Sequence, residues 1–181
     1  MDVATEMIAN GPYGEFTMRH LAERLGVAPM TVYGHIKDRD DLLDSVVDRL
    51  LEPVWQPGST VQAPYPYLID AARRFHDLLV SQPAALHIYL ERAVTAPVAM
   101  RRMAAMMELL QSTGLNEESA LAAYGAIHTY TIGFAALETS RSLDQAVTAD
   151  RDTATLRAMV GPEQFEHGLE LLLRGLDLRD E

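Results

Sequence analysis

Hydroxyl, phenol, imidazole and cationic side chains are concentrated in residues 17–39, among short stretches of apolar residues with helical spacing. On the second of two predicted short helices, the apolar spacing leaves such side chains facing outward, where they can reach base edges in a DNA groove. The flanking threonine, arginines and lysine can contact phosphates, which position a protein on the duplex without reading its sequence. The candidate DNA-contacting residues are Thr17, Arg19, Pro29, Met30, Thr31, Tyr33, His35, Lys37 and Arg39.

Local signals predict the two helices that position these side chains. Thr17 is a good N-cap for a helix over residues 18–25, because its hydroxyl can accept a hydrogen bond from a free amide of the first turn. Gly26 can take the left-handed conformation that ends this helix. Pro29 lies where the first turn of the next helix begins, and that helix is predicted to run to about His35. Two short helices joined by a tight turn form a helix-turn-helix unit, whose second helix can enter the major groove.

Apolar residues predict the core that holds these helices at an angle. Five of them have the required spacing, namely Leu21, Leu25, Val27, Val32 and Ile36. A helix over residues 2–10 precedes the pair. A further helix begins at Asp38, with Asp41 three residues on in an arrangement like a capping box. The apolar stripe of that helix consists of Leu42, Leu43, Val46, Val47, Leu50 and Leu51.

The net charge of −11 argues against a nucleic-acid partner. Within the first 51 residues, five cations face nine Asp or Glu residues. The cations are Arg19, Arg24, Lys37, Arg39 and Arg49. A DNA-binding surface must therefore be a local basic patch made by folding, and we expect the acidic side chains to be turned away from it.

The sequence also excludes several kinds of chemistry. It has no cysteine, so disulfides, zinc ribbons and cysteine nucleophiles are excluded. It has no GxSxG, P-loop or HExxH motif and no close His/Asp cluster, so we expect no enzyme activity, no cofactor and no metal site. There is no secretory signal, and no apolar run approaches the roughly 18 residues of a membrane span. We therefore expect a soluble, cytoplasmic protein without a membrane partner.

Beyond residue 52 the pattern again predicts helices. Residues 53–66 carry four prolines and a glycine, so we expect a loop between head and body. Body helices are predicted over residues 67–81, 84–93, 97–112 and 117–140, followed by a polar connection over residues 141–160. Gly161 and Pro162 begin a final helix, whose predicted apolar row is Phe165, Leu169, Leu172 and Leu176.

Two sets of body residues could bind a small molecule. Methionines between residues 100 and 107 lie on one side of a helix, where methionine forms adaptable apolar walls, although plain core packing explains them as well. Four histidines and tyrosines on body helices offer polar tips, although each could be an ordinary core or surface residue. The candidate ligand-binding residues are His87, Tyr89, Met103, Met107, Tyr124 and His128. They indicate a small apolar or aromatic effector with one or two polar groups.

Small residues follow one face of the helix predicted over residues 117–140. They are Ala122, Gly125, Thr129, Gly133 and Ala136. Small faces permit close helix approach, so this face could form a seam with a second subunit. Packing against the protein's own final helix is the alternative, and both can hold together.

The stretch TMRHLAERLGVAPMTVYGHIKDRDDLL, residues 17–43, resembles the DNA-binding signature of the TetR/AcrR-type family of transcriptional regulators. Through this resemblance the family's tyrosine and histidine fall on Tyr33 and His35, and its phosphate-contacting lysine falls on Arg39. Two features depart from the family. Gly34 stands where a larger side chain is usual. The sequence also begins almost at the first helix, without the basic arm that family members often carry, so either the protein does without this arm or the sequence starts late.

The body resembles the tetracycline-repressor subgroup of that family. TIGFAALE (131–138) and FEHGLELLLRGLD (165–177) are similar to the eighth and last helices of the subgroup, which build a dimeric four-helix bundle. The resemblance implies an all-α protein with a three-helix, helix-turn-helix DNA-binding head (residues 1–51). A helical-bundle ligand-binding and dimerisation domain (residues 52–181) follows.

The implied function is that of a transcriptional repressor. A homodimer, formed through helices near 117–140 and 162–178, would bind double-stranded operator DNA and release it when a small-molecule effector binds. One alternative is a small-molecule-binding protein of the same fold whose head has lost DNA binding. A helical enzyme is the other alternative, which the absence of catalytic motifs disfavours.

Overall fold

The computed structural model describes residues 2–10, 16–52, 54, 63–92, 97–143 and 159–176. Every regular element in these ranges is an α-helix, which confirms the all-α prediction. In chain order the helices are α1 (Asp2–Asn10), α2 (Met18–Leu25), α3 (Pro29–Tyr33), α4 (Arg39–Leu51), α5 (Pro64–Ser81), α6 (Pro83–Arg92), α7 (Pro97–Ser112), α8 (Glu117–Leu143) and α9 (Pro162–Gly175).

The chain forms two compact units. The first consists of residues 1–55 and 81–102, and the second of residues 56–80 and 103–181. In the first unit α6 packs against both α1 and α4. The compact unit thus includes a helix beyond the predicted head, and the functional boundary at residue 51 stays a prediction.

Local capping explains where the first helices begin and end. The hydroxyl of Thr17 accepts a hydrogen bond from a first-turn N–H of α2 at 3.2 Å. Gly26 ends α2 with a φ of 67°, the left-handed region that glycine enters without strain. Pro29 is the first residue of α3, and Asp38 caps α4 by accepting from the N–H of Asp41 at 2.9 Å. The four predicted boundaries are confirmed.

The core of the first unit confirms only part of the predicted packing. The buried stripe of α4 is the predicted one, Leu42, Leu43, Val46, Val47, Leu50 and Leu51. Leu21 and Val32 are buried as well, but Leu25 and Val27 are 45% and 38% exposed, and Ile36 is half-buried. The prediction was wrong for these three because α2 and α3 have only 8 and 5 residues, too few for their ends to be covered. All five line a cavity of about 620 Å³ in this unit.

The start of α5 and the end of α8 differ from the sequence prediction. Pro64 and Pro66, predicted to lie in a loop, belong to the first turn of α5, where a missing N–H leaves no intrahelical bond unmade. The long helix α8 begins at the predicted residue and continues to Leu143. Residues 53, 55–62 and 144–158, which make up most of the two predicted connections, lie outside the described residues.

An aromatic cluster joins three helices of the second unit. The ring of His76 (α5) stacks on Phe165 (α9) with centroids 4.0 Å apart. Its Nε2 lies 3.0 Å from Oε2 of Glu138 (α8). The buried residues of α9 are Phe165, Leu169 and Leu173. Leu172 and Leu176, predicted for this row, are only half-buried, because α9 turns the side bearing Leu173 inward.

The segment Glu117–Ser140 of α8 is long and apolar enough, by length and composition alone, to cross a membrane, with a mean hydropathy of 1.2. The prediction that no apolar run approaches this length was therefore too strict. Helices from the interior of soluble proteins have the same composition. Only 28% of the apolar stretch is buried within the chain, so much apolar surface of α8 lies open.

Candidate DNA-binding surface and effector-binding residues

The recognition helix α3 is anchored by one buried residue and exposes the others. Val32 is buried, whereas Met30 and Tyr33 are 78% and 47% exposed. Pro29, Thr31 and His35 are exposed as well. An exposed methionine and tyrosine side by side on a five-residue helix are unusual for a surface without a partner. Of the predicted base-reading side chains, Met30, Thr31 and Tyr33 thus lie exposed on α3, and His35 is exposed just beyond its end.

The helix α3 is capped by Gly34, whose φ of −70° and ψ of −18° lie in the helical region that any residue adopts. Its N–H donates to the carbonyls of Met30 and Thr31 at 3.1 and 3.3 Å, and a Cβ at this position would meet the Thr31 carbonyl at 3.3 Å. The helix ends at Tyr33 and not at His35, which corrects the predicted end. His35 follows in the turn, where its N–H donates to the Val32 carbonyl at 3.0 Å. The backbone at Gly34 does not require a glycine, so the structure gives no conformational reason for this departure from the family pattern.

The predicted phosphate-contacting residues lie at two helix starts. Thr17 caps α2, whose first turn carries Arg19, and both are exposed. Lys37 precedes the cap of α4, and Arg39 is the first residue of that helix. Carboxylates of Asp38, Asp40 and Asp41 occupy the start of α4, so the phosphate contact predicted there depends on the cations Lys37 and Arg39.

Carboxylates accompany every cation in the first 51 residues. Arg19 pairs with Glu23 on its own helix at 3.0 Å, and Arg24 with Glu6 of α1 at 3.3 Å. The other pairs are Lys37 with Asp38, Arg39 with Glu91, and Arg49 with Asp2 and Glu52. The expectation that the acidic side chains are turned away was therefore wrong. Folding places each positive charge beside a negative one, so the surface carries less net positive potential than its arginines suggest.

Two ion pairs join α4 to later helices of the first unit, and sequence reasoning missed both. Nη1 of Arg39 lies 3.9 Å from Oε1 of Glu91 on α6. Nη2 of Arg102, on α7, donates to the backbone carbonyl and to the carboxylate of Asp48, each at 3.0 Å. The partners are about fifty residues apart in the chain, and no local signal could have paired them.

The predicted ligand-binding residues do not all lie in one unit. His87 and Tyr89 belong to the first unit, where His87 is exposed and Tyr89 is buried. Met103, Met107, Tyr124 and His128 belong to the second unit and are half-buried. The neighbouring Met106 is buried, so part of the methionine stretch belongs to the core.

Tyr124 and His128 form a stacked pair in the second unit. Their ring centroids are 5.3 Å apart. Phe75 of α5 also stacks on His128, with ring centroids 6.0 Å apart. Burial lowers the pKa of the His128 imidazole and raises the pKa of the Tyr124 phenol. Both groups are therefore neutral at pH 7 and can hydrogen-bond to a neutral ligand. Within the described ranges no cluster of three or more His, Asp or Glu residues could hold a metal ion.

The small-residue face of α8 does not pack on α9. Ala122, Thr129 and Gly133 are exposed, and a Cβ added at Gly125 or Gly133 would meet no atom within 4 Å. The α8–α9 contact uses Tyr130 instead, whose hydroxyl donates to the carbonyls of α9 at 3.1–3.2 Å. Of the two predicted roles for the small face, packing on the protein's own final helix is wrong.

Two family models match the chain. The model described as bacterial regulatory proteins, tetR family, matches residues 1–46. The model of the tetracyclin repressor-like C-terminal domain matches residues 66–164, more than half of the chain.

Individual proteins are more distantly similar. An HTH-type transcriptional regulator of Saccharopolyspora erythraea is 26% identical over 87% of this chain and 67% of its own length. The HTH-type transcriptional repressor DrrR1 of Streptomyces coeruleorubidus is 26% identical over 80% of this chain. This chain spans 54% of that repressor's length. The crystal structure of ActR from Streptomyces coelicolor in complex with (S)-DNPA has a TM-score of 0.73 at 25% identity, covering 97% of this chain and 93% of its own.

The all-helical fold and the helix-turn-helix unit with its exposed α3 define a helix-turn-helix transcriptional regulator. The chain belongs to the TetR family. This confirms the resemblance found in residues 17–43 and in the body segment 131–138, whereas the segment 165–177 lies beyond the matched residues. Members of this family are soluble regulators that bind DNA.

Proposed function

We propose that this protein is a cytoplasmic transcriptional repressor that binds a palindromic operator as a homodimer and leaves it when a small molecule binds. It acts by binding and not by catalysis. The observation that carries the proposal is the exposure of Met30, Thr31, Tyr33 and His35 around the buried anchor Val32. The name of DrrR1, a repressor, and the small molecule bound to ActR support the two halves of the proposal.

The DNA contacts are divided between reading and positioning. Thr31 and Tyr33 project from α3 and would contact base edges in the major groove. Arg39 and Thr17 lie at helix starts and would contact phosphates. Two recognition helices of a dimer would enter major grooves about one turn (~34–36 Å) apart.

The open face of α8 supports the dimer. Ala122, Thr129 and Gly133 leave that face flat and exposed, so a helix of a second subunit can approach closely. Leu121 and Leu137 of α8 and Leu171 of α9 are also more than half exposed. Burying such apolar side chains against a second copy would remove them from water, which explains an apolar α8 in a soluble protein.

The effector site is proposed for the second unit, at Met103, Met107, Tyr124 and His128. Methionine side chains provide adaptable apolar walls, and the stacked Tyr124–His128 pair offers an aromatic face with neutral polar tips. A small apolar or aromatic compound with one or two polar groups fits this chemistry. His87 and Tyr89 belong to the other unit and stay predictions.

DNA binding can be tested by selecting operators from random duplexes and measuring affinity against salt. Arg39→Ala should weaken binding to all sequences alike and flatten the salt slope, because it removes a phosphate contact. Tyr33→Ala and Thr31→Ala should instead lose discrimination between operator variants, by about 1–3 kcal/mol for each base contact. A uniform loss in all three variants would contradict this division. No specific binding at low salt would refute the proposal.

The effector can be tested by screening planar aromatic compounds that carry one or two polar groups and titrating each hit by calorimetry. A true effector must bind operator-bound protein more weakly than free protein. By linkage, the effector must weaken operator binding by the same factor, and the coupling free energy is typically about 1–3 kcal/mol. Met103→Trp or Met107→Trp should reduce its affinity. If neither does, the site lies elsewhere, and equal affinities for both states would mean binding without induction.

A protein of the same fold whose head has lost DNA binding is a second candidate function. The observation that favours it is the carboxylate beside every cation of the head. The two functions are separated by the operator selection, since a ligand-binding protein of this kind would enrich no sequence while still binding compounds from the screen.

A further inference from the structure

The ion pair between Arg39 and Glu91 joins the proposed DNA-binding surface to a helix outside the helix-turn-helix unit. Arg39 is the first residue of α4, and Glu91 lies near the end of α6. The two side chains are 40% and 47% exposed, with Nη1 and Oε1 3.9 Å apart. Both charges therefore remain accessible to water and to a DNA backbone.

A phosphate would compete with Glu91 for the same guanidinium. Carboxylate and phosphate are alternative bidentate acceptors for arginine, and both are anions. An exposed ion pair is worth only about 0.2–1 kcal/mol, so DNA can displace Glu91. The displaced carboxylate then lies beside a phosphate, which adds like-charge repulsion to the lost pairing.

We propose that Glu91 is an internal competitor of DNA, and that by holding Arg39 it lowers the affinity of the head for its operator. This inference rests on the proposed function, in which Arg39 contacts a phosphate. It gives α6 a direct part in DNA binding, because a movement of α6 that changes the Arg39–Glu91 distance changes the competition. The pair is thus a contact through which DNA affinity is set from outside the recognition helices.

The test compares Glu91→Gln with Glu108→Gln on a selected operator duplex, by fluorescence anisotropy over a range of salt concentrations. Glu108 is an exposed residue of α7 in the second unit, so its variant has the same net charge without the Arg39 contact. Glu91→Gln should bind roughly 1.4-fold to fivefold more tightly per head, the factor that corresponds to an exposed ion pair. For a dimer with two heads the factor is squared, to roughly twofold to 25-fold. Glu108→Gln should change the affinity by less than about twofold, since distant surface charges are screened.

A double-mutant cycle assigns the gain to Arg39. In an Arg39→Gln background, Glu91→Gln should tighten binding no more than Glu108→Gln does. Equal melting temperatures of the single variants and the wild type would show that altered folding does not cause the difference.

The outcomes separate this inference from the proposed function. If the wild type binds and Arg39→Gln weakens it, but Glu91→Gln behaves like Glu108→Gln, the competitor role is wrong and the function stands. A gain that persists without Arg39 also overturns it. If neither the wild type nor Glu91→Gln binds any selected duplex, the proposed function fails as well. A wild type that binds poorly and a Glu91→Gln variant that binds well would support the inference.

Discussion

Replacing Gly168 with alanine should destabilise the second unit, although alanine is the better helix former. Gly168 lies in α9 opposite Tyr130 of α8. A Cβ at this position would overlap the Tyr130 hydroxyl and lie 2.9 Å from Cζ of the same ring. That ring cannot easily move, because it stacks on Phe165 with centroids 5.6 Å apart and its hydroxyl donates to α9 carbonyls.

The expected change in the free energy of unfolding is the sum of two destabilising contributions and one stabilising contribution. Overpacking of a well-packed contact costs about 1–3 kcal/mol. Displacing the Tyr130 hydroxyl loses about 0.5–1.5 kcal/mol of net hydrogen bonding. Exchanging glycine for alanine in a helix returns about 1 kcal/mol. The free energy of unfolding should therefore fall by about 0.5–3.5 kcal/mol.

Urea unfolding followed by circular dichroism measures the change, at one fixed protein concentration because dimers gain stability with concentration. Gly175→Ala is the matched control, since a Cβ there meets no atom within 4 Å, and it should leave stability unchanged or raised. Tyr130→Phe removes the overlapping oxygen, so it should cost less in the Gly168→Ala background than in the wild type. If Gly168→Ala is as stable as Gly175→Ala, the packing argument is refuted.

Two further predictions follow from the cap of α4 and from the buried imidazole. Asp38→Ala should lower stability by about 1 kcal/mol, because it removes the acceptor of the Asp41 N–H, whereas Asp38→Asn retains a capping oxygen and should be nearly neutral; equal losses in the two variants would contradict the capping role. His128 should titrate below about 6.5, the ordinary pKa of histidine, because burial disfavours its charged form. As the pH falls below about 6.5, His128 is protonated in the unfolded chain before it is protonated in the folded protein. This protonation stabilises the unfolded state, so the free energy of unfolding decreases. An NMR titration of the imidazole checks this, and a midpoint at or above 6.5 would count against it.

The sequence alone was sufficient where structure depends on neighbouring residues. Thr17, Gly26, Pro29 and Asp38 were predicted to begin or end helices, and each does. A cap needs only a side chain and a backbone group within one turn, and a glycine turn needs only a permitted φ. The α4 stripe was predicted for the same reason, since one periodic face must be buried. The family signature follows from these local features and the residues between them.

Prediction from the sequence fails where the burial of one side of a helix depends on the element that packs against it. The predicted apolar row of α9 includes Leu172, but its neighbour Leu173 is the buried residue, and only the packing of α9 on the rest of the unit decides between them. Leu25 and Val27 fit a core by spacing, yet they remain exposed because nothing among the described residues covers the ends of two short helices. Periodicity gives the existence of a face, but it does not give the angle at which that face meets the rest of the molecule.

Tertiary structure also decided the electrostatics of the candidate site. Composition shows five cations and nine acids in the first 51 residues but not which of them meet. Arg39 forms an ion pair with Glu91, and Arg102 forms one with Asp48, although the partners are about fifty residues apart in the chain. Ion pairs are formed by distances of a few ångströms that packing creates, and the sequence holds no local trace of them. The local sequence thus determined the helix-turn-helix unit and its exposed readers, whereas the fold decided which charges would accompany them.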